Sequence, residues 1–281
     1  MSTISAKDVK KLRDITGAGM MDCKKALTEA NGDVEGAIEI LRKKGQKLSV
    51  KRAEREANEG VVIAKTSHNK NNGIVIRLSC ETDFVAKGDS FIALAEDIAE
   101  AALANLPADL EALLALPYDK EMSIGEKVIE QLGVIGEKIE IKEYAKIETQ
   151  PGAGQVLPYI HMGYRAGVIV ALNKEGAELE EAGKNVAMQV AAMKPIALDK
   201  DDVPQEIVDK EIEIGKELAK NEGKPEAMLE KIAKGRLNKF FKETTLLNQV
   251  YVKDGKATVQ GYLKSIHADL TVTEFKHIAL G

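Results

Sequence analysis

Few residues in this chain could perform acid–base, nucleophilic or metal chemistry, and their spacing matches no known catalytic motif. The four histidines are His68, His161, His267 and His277, and no two of them stand four residues apart around a glutamate. This excludes the zinc-binding helix of metalloproteases. Gly-Lys pairs occur, but none has a glycine five residues ahead, so a nucleotide-binding P-loop is not predicted. We therefore expect no catalytic centre and no cofactor.

The cysteines indicate the compartment. Cys23 and Cys80 lie far apart, and neither belongs to a C-x-x-C pair, which argues against a zinc site or a disulfide scaffold. Two buried, reduced cysteines are typical of a reducing compartment. The chain starts without an apolar signal-peptide core, and no run approaches 18 apolar residues. We expect a cytoplasmic protein with no bound metal and no membrane contact.

The charge balance disfavours nucleic acid as the main partner. The chain of 281 residues has 40 Lys and Arg against 45 Asp and Glu, a net charge of −5. Proteins that gain affinity from phosphate contacts usually carry the opposite sign. Residues 1–58 are locally basic, which suits an acidic protein surface better than a duplex. RNA binding through this basic segment remains an alternative, to be recognised by its salt dependence.

One stretch combines an acid with an apolar pair between two predicted elements. A predicted strand ends at Cys80, and we expect no helix before about Asp89, so residues 82–85 lie on the connection. Phe84 and Val85 either fold back onto the core or protrude as an anchor for a partner, since aromatic side chains are frequent hot spots. A third interpretation is a hydrolase that uses Asp83 or Glu81 with His161.

Three short helices are predicted over residues 5–45 from apolar residues at helical spacing and from cap residues. Gly45 is expected to end the third helix, and the charged residues 46–58 to form a solvated linker. So small a helical unit has a marginal core, which favours a docking module.

The remaining pattern predicts an α+β core in two similar halves. Two β-rich runs joined by turn residues precede a helix, and the same order recurs about 94 residues later, aligning Gly73 with Gly167. Residues 108–132 look helical, with a capping box at Ser123 and Glu126, and residues 138–148 alternate as a strand does. A last helix and strand close the second half. We predict a module at 1–46, a linker at 47–58, a first half at 59–148, a second half at 149–198 and 243–281, and an inserted antiparallel helical hairpin at 199–242.

Several stretches resemble the elongation factor Ts family, the nucleotide-exchange factors of the GTPase elongation factor Tu. The matching segments are residues 12–27, 31–33, 81–87, 135–137, 161–163 and 193–195. The resemblance implies a ubiquitin-associated-like N-terminal domain, a two-part α+β core and an inserted coiled-coil hairpin. It implies binding to elongation factor Tu in its GDP-bound and nucleotide-free states, with a homodimer through the hairpin as a further possibility.

The resemblance also implies which residues contact the partner. Asp83 and Phe84 would enter the GTPase domain and disturb Mg²⁺ and phosphate binding. The residues implied for the inserted loop are Thr82, Asp83, Phe84 and Val85; those for other contacts are Ile135, Gly136, His161, Tyr251 and Val252; those for N-terminal docking are Leu12, Thr16, Gly17, Gly19, Met20 and Met21.

Two departures from the family pattern are visible. Val250 stands where the family often has proline, which puts the contact at Tyr251 and Val252 in doubt in detail. A further C-terminal helical module of some members is expected to be absent, because the sequence stops just after the last predicted strand.

Overall fold

The computed structural model describes residues 4–281 and begins with three packed helices. These are α1 (Ala6–Thr16), α2 (Met20–Glu29) and α3 (Val34–Arg52). Ser5 and Asp8 form a capping box at α1, Gly17 ends this helix with φ of 68°, and Asp33 caps α3. The prediction of three helices is confirmed.

The predicted end of α3 is wrong. The helix continues through Gly45 to Arg52 and so includes the first part of the predicted linker. Leu48 packs against the core of the first half, which gives this last stretch an apolar anchor. Gly45 marks a close helix crossing instead, because a side-chain carbon there would lie 2.9 Å from the carbonyl oxygen of Ile129.

Two three-stranded antiparallel sheets form the centre of the molecule. The first has the order β1-β2-β3 and the second β4-β5-β6. Their facing sides share a cluster that includes Val62, Val75, Val156 and Ile169. The strands are β1 (Glu59–Thr66), β2 (Asn72–Cys80), β3 (Ile139–Glu148), β4 (Gln155–Ile160), β5 (Ala166–Leu172) and β6 (Val272–Ala279).

A helix covers the outer face of each sheet, which gives four layers in the order helix, sheet, sheet, helix. The first helix, α5 (Asp89–Asn105), contributes Phe91, Ala95 and Ile98 to the core of the first half. The helix on the second sheet, α8 (Glu180–Met193), contributes Val186 and Val190. The apolar stripe of each helix thus meets the apolar face of its own sheet.

The two sheets share details at a constant offset of 94 residues. Gly60 and Gly154 both adopt positive φ, 145° and 155°, close against the carbonyl oxygens of Leu78 and Leu172 respectively. The register shifts just before Leu78 in β2 and just before Leu172 in β5. The extra, unpaired residues are Lys142 of β3 and Thr273 of β6, so each third strand bulges opposite an equivalent position of its central strand.

The remaining helices are α4 (Asp83–Ala86), α6 (Leu110–Ala115), α7 (Ile124–Ile135), α9 (Gln205–Asn221), α10 (Glu226–Thr244) and α11 (Val259–Ile266). The capping box of Ser123 and Glu126 begins α7 as predicted. Residues 108–132 contain two helices separated by residues 116–123, because Pro117 and Ser123 form a β-bridge between them. In residues 4–281, no helix combines the length and apolar character needed to cross a bilayer.

The helices α9 and α10 pack together as an antiparallel pair. Gly215 lies against Ala233, where a side-chain carbon on the glycine would come within 3.1 Å of the backbone. Nearer the turn, Glu222 accepts a 2.6 Å bond from Arg236. The connecting Gly223 has φ of 73°, which glycine adopts readily.

Candidate partner-binding site

The connection after β2 contains a single helical turn, α4, which presents Phe84 to solvent. The expectation that no helix begins before Asp89 is therefore wrong. The Phe84 side chain is 86% exposed. Val85 is half-buried against the core of the first half, and Ala86 is buried. Of the two interpretations, protrusion applies to Phe84 and packing applies to Val85.

Asp83 lies beside Phe84 and is paired on its own turn. Its Oδ2 lies 2.6 Å from Nζ of Lys87, four residues along. The hydrogen bond and the charge of Lys87 lower the pKa of Asp83 below its usual value. The exposed phenyl ring is therefore flanked by an ionised carboxylate at neutral pH.

The base of this turn is fastened to the chain just ahead of β3. Cys80 and Ile139 are the last residues paired between β2 and β3. Beyond them, Lys138 N–H donates to Glu81 Oε1 at 2.6 Å. Thr82 donates to Glu137 from its N–H at 3.0 Å and from Oγ1 at 2.8 Å. We call this set of bonds between residues 81–82 and 137–138 the carboxylate clasp.

The carboxylate clasp also reaches the N-terminal helices. Glu81, whose side chain is 13% exposed, accepts a 2.6 Å bond from Arg52 and a 3.2 Å bond from Arg55. Burial raises the pKa of Glu81, but the Lys138 amide and the two guanidinium groups outweigh it and lower the pKa below 4.5. An ionised carboxylate therefore joins the end of α3 to the start of the Phe84 turn.

The thiol of Cys80 is inert in this setting. Burial and the charge of Glu137 raise its pKa to about 12, and its Sγ donates to the carbonyl of Thr82 at 3.1 Å. A thiolate nucleophile at this position is excluded at neutral pH.

The predicted N-terminal docking residues divide into a surface and its support. Met20 and Met21 are exposed at the start of α2, next to the turn that holds Gly17 and Gly19. Leu12 and Thr16 are buried, so they hold this surface from beneath and do not form part of it. Ile15, which helical spacing places with Val9 and Leu12 on the apolar side of α1, is exposed as well and was not assigned to this surface from the sequence.

The C-terminal end of α7 lies between the N-terminal surface and the Phe84 turn. A side-chain carbon added at Gly17 would lie 3.7 Å from Val134. Ile135 is half-buried, and Gly136 ends α7 with φ of 82°, after which Glu137 enters the carboxylate clasp. The structure thus brings the docking turn, the end of α7 and the Phe84 turn into one continuous region.

His161 stands on the connection between β4 and β5. It is exposed, as is the adjacent Met162, which the sequence analysis missed. Arg165, at the end of this connection, lies 3.8 Å from Glu59, and Glu59 pairs with Cys80. This connection therefore lies at the same edge of the first sheet as the Phe84 turn.

Tyr251 and Val252 lie in the second half. Tyr251 is buried and stacks on Tyr262 with ring centroids 4.1 Å apart, so its side chain is not a surface contact. Val252 is half exposed, and its N–H donates to Gln189 at 2.9 Å. Only Val252 of this pair is available to a partner.

The chain is similar to known proteins along its whole length. The family described as "Elongation factor TS" matches residues 81–281. The curated elongation factor Ts of Cytophaga hutchinsonii is 53% identical over 281 residues, and that of Christiangramia forsetii is 50% identical over 281 residues; both matches cover the whole of each chain. The chain belongs to the elongation factor Ts family.

Elongation factor Ts proteins are exchange factors for elongation factor Tu in translation elongation, and they are not enzymes. The arrangement of the candidate hydrolytic residues agrees with this. The carboxylate of Asp83 is paired with Lys87, that of Glu81 with two arginines, and Nδ1 of His161 lies 3.1 Å from the hydroxyl of Tyr159. Among residues 4–281, no group of His, Cys, Asp and Glu side chains could hold a metal ion.

Proposed function

We propose that this chain binds elongation factor Tu in its GDP-bound and nucleotide-free states and promotes the release of GDP. The exposed ring of Phe84 is the observation that carries this proposal, because a large aromatic side chain standing on a short, anchored turn is suited to insertion into another protein. Phe84 inserts between helices of the partner's GTPase domain, and Asp83 fixes its register. The insertion disturbs the groups that order Mg²⁺ and the phosphates.

Exchange of this kind requires no bond to be made or broken. A factor that binds the nucleotide-free state more tightly than the GDP-bound state lowers GDP affinity by the same factor, because the two equilibria are linked. The chain therefore needs a large contact area and one element that fits the empty state better. The Phe84 turn is that element.

The other exposed residues of the region supply the contact area. Met20 and Met21 dock the N-terminal helices on the partner, with Gly17 and Gly19 allowing close approach. Ile135 and Gly136 contact it beside the Phe84 turn. His161 contacts a second part of the partner, as does Val252 with Tyr251 supporting it from the core.

The organisation of the chain fits this role. We interpret α1–α3 as a ubiquitin-associated-like domain and the two halves of the core as products of a duplication, supported by the constant offset of 94 residues. The pair α9–α10 is interpreted as an inserted coiled-coil hairpin. Its partly exposed Ile214, Leu218 and Met228 are the surface proposed for a second copy of the chain, to be tested by sedimentation.

The decisive experiment measures GDP release from elongation factor Tu. Phe84→Ala is expected to lower the stimulated rate at least about tenfold, because hot-spot aromatics dominate such contacts. Val50→Ala is the matched control, since Val50 is also an exposed apolar residue but lies outside the proposed contacts. Unchanged stimulation with Phe84→Ala would overturn the proposal.

A further inference from the structure

The carboxylate clasp continues the pairing of β2 and β3 where the strands themselves have ended. Glu81 accepts the Lys138 amide, and Glu137 accepts both the amide and the hydroxyl of Thr82. The carboxylate of each segment, residues 81–82 and residues 137–138, therefore accepts a hydrogen bond from a backbone amide of the other segment. Such charge-assisted bonds are about twice as strong as neutral ones.

We propose that Glu81 and Glu137 are positioning residues that hold the Phe84 turn in its binding orientation, and that Glu81 also joins this turn to the docked N-terminal helices. The inference rests on the proposed function, since it explains how the inserted side chain is held. Neither carboxylate needs to touch the partner.

Besides the clasp, the weak bond from Cys80 Sγ to the Thr82 carbonyl also holds the amino-terminal end of the turn. The Phe84 ring lies in solvent, and only Val85 and Ala86 pack against the core. Thr82 is the N-cap residue of α4, yet its side chain makes no bond to the first turn of that helix and donates to Glu137 instead. The bond therefore fixes the turn relative to the rest of the protein and not the helix internally.

The geometry of both carboxylates is set by the backbone on which they stand. Gly136 turns the chain out of α7 in the left-handed region, which directs the next residue, Glu137, to Thr82. Glu81 is held by Arg52 at the end of α3, and Lys138 Nζ donates to the carbonyl of Ala53 at 3.0 Å. The N-terminal helices and the Phe84 turn thus share one anchoring point.

A turn that is already ordered loses less conformational entropy when it is inserted. Loosening the clasp is therefore expected to weaken the fit to the nucleotide-free state while the fold remains intact. The two states of the partner would then be distinguished less well, and the stimulated release of GDP would slow.

A double-mutant cycle tests the inference. Glu137→Gln is measured in the wild-type and the Phe84→Ala backgrounds, with GDP release and partner affinity as readouts. We expect about a tenfold loss of stimulation in the wild-type background and less than about a twofold further loss with Phe84→Ala. The control is Glu148→Gln, because Glu148 is an exposed carboxylate at the other end of β3, where it pairs with Lys146; it is expected to leave stimulation unchanged.

The outcomes separate this inference from the proposed function. If Phe84→Ala leaves stimulation intact, both fail. If Phe84→Ala abolishes stimulation but Glu137→Gln has no effect, or has the same effect in both backgrounds, only the positioning inference fails.

Amide hydrogen exchange of the wild-type protein provides a test that needs no variant. We expect the amides of Thr82 and Lys138 to exchange about as slowly as the last paired amides of β2 and β3. Exchange of both at unprotected rates would overturn the inference.

Discussion

The two halves of the core have similar connections between the central strand and the helix that covers the sheet. In each, the third strand bulges opposite a leucine of the central strand, and the central strand is followed by a connection that leads to the covering helix. Each connection also binds the residue just ahead of the third strand through a side chain. Glu81 accepts the amide of Lys138, and Asn173 accepts the amide of Thr271 at 2.9 Å.

The two connections differ in whether their large apolar side chain is buried. In the second half, Leu179 is 4% exposed and lies in the core under α8. In the first half, Phe84 is exposed and only its neighbours are buried. The first half also uses charged side chains in its clasp, and it links that clasp to α3.

The difference shows how one scaffold serves two purposes. In the second half the connection stabilises its own fold, so its apolar residue contributes burial energy to the protein. In the first half the apolar residue contributes nothing to folding, so its burial energy remains available to a partner. The charged clasp adds to the packing of Val85 and Ala86 in holding the turn that presents Phe84.

Paired truncations give the largest expected effect and test this difference directly. Leu179→Ala is expected to lower the free energy of unfolding by about 2–5 kcal/mol, since it leaves a cavity in a packed core. Phe84→Ala is expected to change it by less than about 0.5 kcal/mol, as surface substitutions usually do. Urea unfolding followed by circular dichroism measures both.

The same two substitutions are expected to differ in their effect on nucleotide exchange. Phe84→Ala slows stimulated GDP release, whereas Leu179→Ala does not at temperatures where that variant is folded. Equal loss of stability from both substitutions would show that Phe84 contributes to the stability of the fold as Leu179 does.

The sequence predicts most of the elements because its signals are local. Alternation and turn residues place the strands, and cap residues place the starts of α1, α3 and α7. Gly45 misled because a glycine near a helix end usually marks that end. Here it marks a crossing with α7, and a contact between residues that distant in sequence leaves no local trace.

The candidate site was predictable only in part. The acid and the aromatic of residues 83–84 allow either a protruding tip or packing onto the core, and the family resemblance favours the protruding tip and assigns it a role. The burial of Leu12 and Tyr251 depends on packing across elements. The roles of Glu137 and Arg52 depend on long-range pairing with residues 81–82, which no spacing within one segment encodes.

The contact between α3 and α7 joins the N-terminal helices to the first half of the core, and adding a single methyl group there tests its importance. A side-chain carbon at Gly133 would lie 2.9 Å from Cα of Gly45, so Gly133→Ala must move one backbone against the other. We expect a loss of about 1–3 kcal/mol of stability, the usual range for overpacking. Because α7 leads to Gly136, stimulated GDP release should fall as well.

The control for Gly133→Ala is the same substitution on an exposed helix. A side-chain carbon at Gly235 in α10 would meet no described heavy atom within 4 Å. Gly235→Ala is expected to stabilise the protein by up to about 1 kcal/mol. Thermal unfolding of the two variants separates the packing effect from helix propensity.

The charged clasp of the first half predicts that protein stability depends on pH, whereas the neutral Asn173 of the second half predicts no such dependence. Glu81 has a folded-state pKa below its ordinary value of 4.5. Its contribution to stability is therefore fully present above about pH 4.5 and is lost as the pH falls through the lower folded value. Glu81→Gln should flatten this part of the stability profile, measured by urea unfolding at neutral and acidic pH.

Asn173→Ala provides the comparison. It removes the side-chain oxygen that accepts from the Thr271 amide, but it removes no ionisable group. The variant should therefore be less stable at every pH, while its stability changes with pH as that of the wild type does. A slope unchanged by Glu81→Gln would show that Glu81 is not held in its ionised form by Arg52, Arg55 and Lys138.

The smallest effect is expected at Val250 in the second half, where the family resemblance implies that a proline is often present. Val250 forms an isolated bridge with Thr258, and the bonds of this bridge are donated by the amides of Val259 and Tyr251. Gln249 already has the extended backbone, φ of −60° and ψ of 145°, that a following proline requires. Val250→Pro should therefore change the free energy of unfolding by less than about 1 kcal/mol, with any gain arising from the restricted unfolded chain. A larger loss would mean that the Val250 amide has an essential role in holding Val252 at the surface, and parallel measurement of partner affinity would show whether that surface is used.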